Sequence, residues 1–462
     1  MTLLTRTQLL RSPLAATDVE SARPGTFDAV SLLSIYAAVL LVVPSSLYFT
    51  PLNSMGRPSL WLGLALMFWW ALHQLQRSSP EADVVHQPLR IAIFALLAVA
   101  LASYAVALFR GEPADQVSPA SVSLANLVAL AGVTLVALDG ITTLERFRAL
   151  VGTLIAFGTL VALLGLAQFA TGRALVDSIS VPGMSGSASA VLSRDAFVRA
   201  AGTAQHPLEY ASVLCVCLPL AVVYALDRAV SPLRRHLAWC AVMIVGAAAA
   251  VSVSRSALAG VAVAVVIVLP ALPKNLRSLF ILGGIGLVAV VLVAVPGMLS
   301  TIISMFSTIS GDPSALSRSN AFAAGFHYIP FAPLLGVGFG TFLPRYYIFD
   351  DEWMLLTVQL GVLGLVSFAS LFGTSLYSAY SARRHAPSIP AARSYGQALI
   401  AALGGLAVLY ASFDALSFAQ SAGLAFLLFG LAGALRRICR HASAQQTTPG
   451  TSAAPHRDRA TL

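Results

Sequence analysis

Apolar residues run along this chain in blocks close to twenty residues long, separated by short polar breaks. The blocks fall at 28–48, 59–75, 90–108, 119–138, 149–168, 207–226, 236–252, 256–272, 277–295, 353–377, 394–412 and 418–435. A helix needs roughly twenty apolar residues to cross the hydrocarbon core of a bilayer, so the pattern predicts an all-α integral membrane protein with about twelve transmembrane helices. Pro44 and Pro219 fall inside the first and sixth blocks. Kinks are expected there, since neighbouring helices can satisfy the freed carbonyls.

Two stretches break the rhythm. The segment 169–206, between the fifth and sixth blocks, holds a Ser/Gly-rich run at 181–189 that reads as mobile, followed by Arg194, Arg199 and His206. The longer stretch, 296–352, separates the ninth and tenth blocks. Its residues Met298, Leu299, Ile302, Ile303, Met305, Phe306 and Ile309 recur at helical spacing among Ser and Thr. That pattern predicts an amphipathic helix, lying on the membrane surface or packed on its neighbours. Further on, Gly336, Gly338 and Gly340 have no preceding strand and no GxGxxG or GK[ST] spacing. Nucleotide binding is excluded on that ground, and close backbone packing or a turn is expected instead. The stretch ends on Asp350, Asp351 and Glu352.

Composition agrees with the pattern. The chain is 58% hydrophobic and 10% charged, with a mean hydropathy of +0.82, against about 25% charged residues in soluble domains. The formal charge of +9 becomes informative once it is placed on the topology. With both termini cytoplasmic, twenty of the 28 Lys and Arg fall in cytoplasmic segments and eight in outer ones, as the positive-inside rule requires. The charge thus reflects topology and anionic lipid, not nucleic acid. Residues 1–27 and 436–462 read as cytoplasmic tails flanking a membrane domain at 28–435, with 1–27 lacking the pattern of a cleavable signal. The four cysteines have no metal-site spacing and read as small core residues.

On this topology Arg199, His206, Arg255, Arg318, Asp350, Asp351 and Glu352 share the outer face. Arg255 stands between the seventh and eighth blocks, at or just below the membrane surface, where a charge is costly and marks a functional candidate. Arginine forks grip phosphate or pyrophosphate, and a carboxylate or His beside a hydroxyl can act as general base. Outside the cell there is no ATP, so an activated group must arrive on a carrier, for which a lipid pyrophosphate suits an enzyme in a bilayer. The competing readings are solvated loop charges and a divalent cation held by residues 350–352.

Four segments carry a resemblance: Arg199-Ala-Ala-Gly-Thr-Ala-Gln-His-Pro207, Ser252-Val-Ser-Arg-Ser-Ala-Leu258, Arg318 with Gly336-Val-Gly-Phe-Gly-Thr-Phe342, and 353–365. In this order they resemble the O-antigen ligase and O-antigen polymerase superfamily, closely over about 195–370 and by topology over the whole chain. The resemblance implies a metal- and cofactor-free inverting glycosyltransferase of the bacterial inner membrane. Its donor would be an undecaprenyl-pyrophosphate-linked oligosaccharide and its acceptor a glycan or lipid-linked glycan, met at the extracytoplasmic face. Arg199, Arg255 and Arg318, helped by His206 and Glu352, would bind substrate, and Arg255 and Arg318 would stabilise the leaving group. Many ligases carry His-Asn just before the tenth span, where this chain has Asp350-Asp351, so the resemblance favours a polymerase with Asp350 as base and Asp351 second. A multi-pass transporter or flippase of lipid-linked glycans is the alternative, and a non-catalytic scaffold a third.

Overall fold

The computed structural model describes residues 28–76, 87–176, 179, 181–186, 193–194, 197–252, 254–295, 297, 303, 313–385 and 389–447. Residues 1–27, the residues from 448 on, and the expected surface helix at 298–309 apart from Ile303 lie outside the described residues.

Among the described residues thirteen α-helices follow in order: α1 (Ala29–Val42), α2 (Pro58–Leu75), α3 (Pro88–Phe109), α4 (Ala114–Gly140), α5 (Leu144–Thr171), α6 (Pro207–Leu226), α7 (Pro232–Ala250), α8 (Arg255–Val268), α9 (Lys274–Ala294), α10 (Pro313–Tyr328), α11 (Glu352–His385), α12 (Pro390–Tyr410) and α13 (Ala419–Thr447). All but α10 correspond to apolar blocks, so the protein is an all-α integral membrane protein. Among the described residues, nine helices are long and apolar enough to cross a bilayer, and α1 and α8 are shorter apolar helices. Local chemistry sets their starts. Proline occupies the first turn of α2, α3, α6, α7 and α12, where its missing N–H costs nothing. Asp28, Thr143 and Ser254 cap α1, α5 and α8 by accepting backbone amides, as N-cap residues do.

Connections gather at two ends of the bundle, alternating along the chain. At one end Ser45 N donates to Thr203 O at 2.9 Å, Arg110 Nη1 donates to Val337 O at 3.2 Å, and Arg345 pairs with Asp115. At the other end Arg148 Nε meets Asp227 at 2.6 Å, Arg90 meets Asp139 at 2.6 Å, and Arg146 pairs with Asp28. In the middle, α6 and α13 are wrapped by the others and almost wholly buried, whereas among the described residues α9 buries none of its own. Helices α2 and α4 approach closely, because a Cβ on Gly132 would sit 2.6 Å from the Met67 backbone nitrogen. Small residues commonly permit such contacts in membranes.

Four details depart from the sequence expectation. α1 stops at Val42, so Pro44 lies beyond it and kinks nothing; a residue before proline is pushed out of helical backbone. The Ser/Gly-rich run is not wholly mobile, since β2 (Met184–Gly186) pairs antiparallel with β1 (Leu47–Phe49) and ties the α1–α2 and α5–α6 connections together. The boundary drawn at 435 falls inside α13, which continues to Thr447. Its Arg437 donates to the carbonyls of Asp139 and Ile141 at 2.8 Å each, and the Arg436 guanidinium lies over the Tyr377 ring.

The fourth detail is a break in α11 at Gly361, where φ is +68° and ψ −166°. The glycine-rich segment lies across it and exchanges backbone bonds with both halves: Val337 N to Val358 O at 3.0 Å, Gly338 N to Gln359 O at 3.1 Å, and Val362 N to Pro333 O at 2.8 Å. A Cβ on Gly336 would fall 2.2 Å from Gln359. The glycines therefore serve close backbone approach, and they anchor the segment before Asp350 to the helix that follows it.

Candidate active site

The acidic run closes the long interruption and opens α11, but its three members do different things. Asp351 Oδ1 accepts the Met354 amide at 3.1 Å, the N-capping bond expected three residues into a helix. Glu352 is buried, and its Oε2 accepts the Leu416 amide at 2.9 Å. Asp350 stays half-buried. A fourth carboxyl joins them from the α12–α13 connection: Asp414, whose pKa is pushed up to about 6, mostly by burial, with the Asp350 charge adding to the rise.

The 413–418 connection is the hub of this end. Its Leu416 binds Glu352, and its Ser417 carbonyl accepts from Arg57 Nη1 at 3.2 Å. The Phe418 ring lies 5.5 Å from the His206 imidazole. Helix register brings Arg255 to the same level. Gly260 of α8 packs on Leu409 of α12, and Arg255 lies five residues further towards this end, about 7 Å along the axis at 1.5 Å per residue. Its backbone stands at the first turn of α8, behind the Ser254 cap.

Arg199 and His206 flank a turn held from within the bundle. Gln168 of α5 accepts the amides of Ala201 and Gly202 at 3.1 and 2.7 Å and donates to the Gly202 carbonyl at 2.9 Å. His206 caps α6, its Nδ1 accepting the Leu208 amide at 3.2 Å. Burial, reinforced by the Arg199 charge, pushes its pKa down to about 4. At neutral pH the ring is therefore uncharged, with Nδ1 engaged as an acceptor and the remaining proton on Nε2, so it offers a donor. Arg318 falls on α10, with its side chain outside the described residues. Its position is three and seven residues before Ala321 and Gly325, and Gly325 packs on Met354 of α11.

A cavity of about 320 Å³ opens between α2, α4, α11 and the 415–417 turn. Arg57, Ser123, Asn126, Glu352, Gln359 and Phe339 are on its wall. Of the described site residues expected from the sequence, only Glu352 lines it; Arg199, His206, Arg255, Asp350 and Asp351 do not. Among the described residues no group of three or more His, Cys, Asp or Glu is arranged to hold a metal ion.

Sequence reasoning missed Arg57, Asp414 and Glu209. Arg57 entered only as one charge in the topology count, although it directly precedes the Pro58 that starts α2. Asp414 left a faint signal, a single acid between two apolar blocks. Glu209 is fully buried in the first turn of α6 and accepts three bonds, from Ser45 Oγ at 2.9 Å, Gln205 N at 2.7 Å and Gln420 N at 2.8 Å. It fastens three chain segments around the His206 turn.

Residues 240–369 match the family model described as O-antigen ligase. The matched segment runs from α7 to the first half of α11 and contains Arg255, Arg318 and the acidic run. No curated protein matches the chain. The family comprises glycosyltransferase-like ligases and polymerases, and an O-antigen ligase/polymerase-type function comes with it. Over residues 240–369 the chain is thus similar to the O-antigen ligase family, and helices long and apolar enough to cross a bilayer lie on either side of that segment.

Proposed function

We propose that the protein is an inverting glycosyltransferase that extends a glycan from an undecaprenyl-pyrophosphate-linked donor, acting as a polysaccharide polymerase at the extracytoplasmic face of a bacterial inner membrane. The observation that carries the reading is the meeting, at one end of the bundle, of arginine-bearing segments with the carboxyls of Asp350, Glu352 and Asp414. The twenty-to-eight division of Lys and Arg supports placing that end outside and both termini in the cytoplasm.

In the step that follows, the acceptor hydroxyl gives its proton to a carboxylate, with Asp350 as the first candidate because Asp351 is engaged as a helix cap. The hydroxyl oxygen bonds to the anomeric carbon of the donor sugar from the face opposite the pyrophosphate. The bond from that carbon to the pyrophosphate oxygen breaks, and lipid pyrophosphate departs with the electron pair. Arg199, Arg255 and Arg318 offset the charge that develops on it. Neutral His206 donates a hydrogen bond through Nε2, and no ATP is consumed.

A specific feature favours one rival, a transporter or flippase of lipid-linked glycans: α11 is interrupted at Gly361, and transporters build sites on broken helices. Purified protein in lipid nanodiscs, given a lipid-pyrophosphate-linked glycan without ATP or an ion gradient, separates the readings. The transferase yields lengthened glycan and free lipid pyrophosphate. Arg255→Ala and Arg318→Ala abolish the product, and the Lys variants are also impaired because a point charge lacks the bidentate fork. Unaltered product from both Ala variants refutes the arginine assignment, and no conversion by the wild type refutes the transferase.

A further inference from the structure

We propose that the cavity between α2, α4, α11 and the 415–417 turn is the acceptor subsite, holding the terminal sugar whose hydroxyl is glycosylated. This rests on the transferase reading above and adds to it where the acceptor sits and what selects it. At about 320 Å³ the cavity is at the small end of ligand sites, which run from about 300 to 1,000 Å³.

The wall has the chemistry of a polyol site. Vicinal hydroxyls each donate and accept, so they need both kinds of partner side by side. Arg57 supplies donors, Glu352 acceptors, and Asn126 and Gln359 both. Phe339 provides an apolar surface for the C–H face of a sugar ring. The lining does not suit a pyrophosphate: Arg57 is the one cation among the lining residues and is already engaged with the Ser417 carbonyl, and neither Arg199 nor Arg255 lines the cavity.

The groups are also held before any ligand arrives. Arg57 is fixed on the Ser417 carbonyl, Glu352 on the Leu416 amide, and Gln359 Oε1 on the Gly340 amide at 3.3 Å. Such preorganisation lowers the ordering cost of binding. Glu352 directly follows Asp350 and Asp351 in the chain, so a sugar seated against Glu352 lies beside the acids that would take its proton.

The decisive residue is Asn126 on α4, a lining residue of the cavity that the transfer step above does not use. The test uses the full-length protein in nanodiscs, the lipid-linked glycan extracted from its own cells as donor, and the same repeat unit released from its lipid pyrophosphate as free acceptor. Asn126→Phe puts a bulky apolar ring into the cavity and Asn126→Ala removes only the amide. The acceptor KM rises at least tenfold relative to the donor KM in the first, and about threefold in the second. If Asn126→Phe fails to give a monodisperse protein, Asn126→Ala decides. An acceptor KM within twofold of wild type in the folded variant, or an equal rise in both KM values, overturns the subsite. A wild-type protein that makes no product defeats the transferase reading itself, an outcome visible before any variant is made.

Discussion

Glu352 accepts the backbone amide of Leu416 at 2.9 Å across a separation of 64 residues, and the bond uses a single carboxylate oxygen. Position 352 therefore needs an acceptor for folding but not a charge. Glu352→Gln keeps the acceptor and is expected to melt within about 1 kcal/mol of wild type, whereas Glu352→Leu strands a buried amide at a cost of about 1–3 kcal/mol. If Glu352 also holds the acceptor sugar, the well-folded Gln variant still loses most product formation. Thermal midpoints in detergent, read beside product yield, separate the two roles, and a fully active Gln variant would remove Glu352 from the site.

Glu209 should behave differently under the same substitution. Both of its oxygens accept hydrogen bonds, Oε2 from Ser45 Oγ and Gln205 N, Oε1 from Gln420 N. A glutamine there turns one acceptor into an NH₂ group facing a donor. Glu209→Gln is therefore expected to destabilise nearly as much as Glu209→Ala, by about 2–4 kcal/mol, the upper range for losing bonds to a buried charged group. A Gln variant as stable as wild type would show that the network does not depend on two accepting oxygens.

These two glutamates show what the chain reveals before its structure is known. The helices were legible because each apolar block has the length a bilayer demands, and the signal is local. Residues 350–352 were legible as a cluster but not as separate roles. The capping position of Asp351 could have been read from its place just ahead of an apolar run. By contrast, Glu352 reaches to 416 and Glu209, besides the nearby Gln205, to 45 and 420, and no spacing rule links positions so far apart. The break in α11 was hidden for a related reason. Gln-Leu-Gly-Val-Leu-Gly reads as continuous helix, and only the segment at 333–338 lying across it explains a positive φ at Gly361.

Gly361 therefore offers a direct test of that packing. Its φ is +68°, and an added Cβ would fall 2.4 Å from the Leu334 backbone. Gly361→Ala meets a backbone conformation that costs about 1–3 kcal/mol and a collision that only movement of the 333–338 segment relieves. Gly373, on the same helix, has nothing within 4 Å of an added Cβ, so Gly373→Ala is the matched control. Size-exclusion profiles after heating steps should show Gly361→Ala aggregating well below wild type and Gly373→Ala unchanged. Equal profiles would mean that the break is not built into the fold.

Asp414 makes a prediction in pH. Its ordinary pKa is 3.8, and in the folded protein it is raised to about 6, chiefly by burial. Below pH 4 the carboxyl is protonated in both the folded and the unfolded chain, so it contributes no difference. Between about pH 4 and 6 the unfolded chain gives up the proton and the folded one keeps it. Stability thus falls as pH rises through this window, by at most about 3 kcal/mol at roughly 1.4 kcal/mol per pH unit. Asp414→Asn cannot ionise, so its thermal midpoint should fall less between pH 4 and 7 than that of wild type. Asp350→Asn removes a neighbouring like charge, so folded Asp414 ionises at lower pH and the fall, beginning at the same pH, ends earlier and is smaller. If wild type and Asp414→Asn follow the same curve, Asp414 is not a buried carboxyl held at the edge of ionisation, and the acidic group at this end loses the member that links the α12–α13 connection to Asp350.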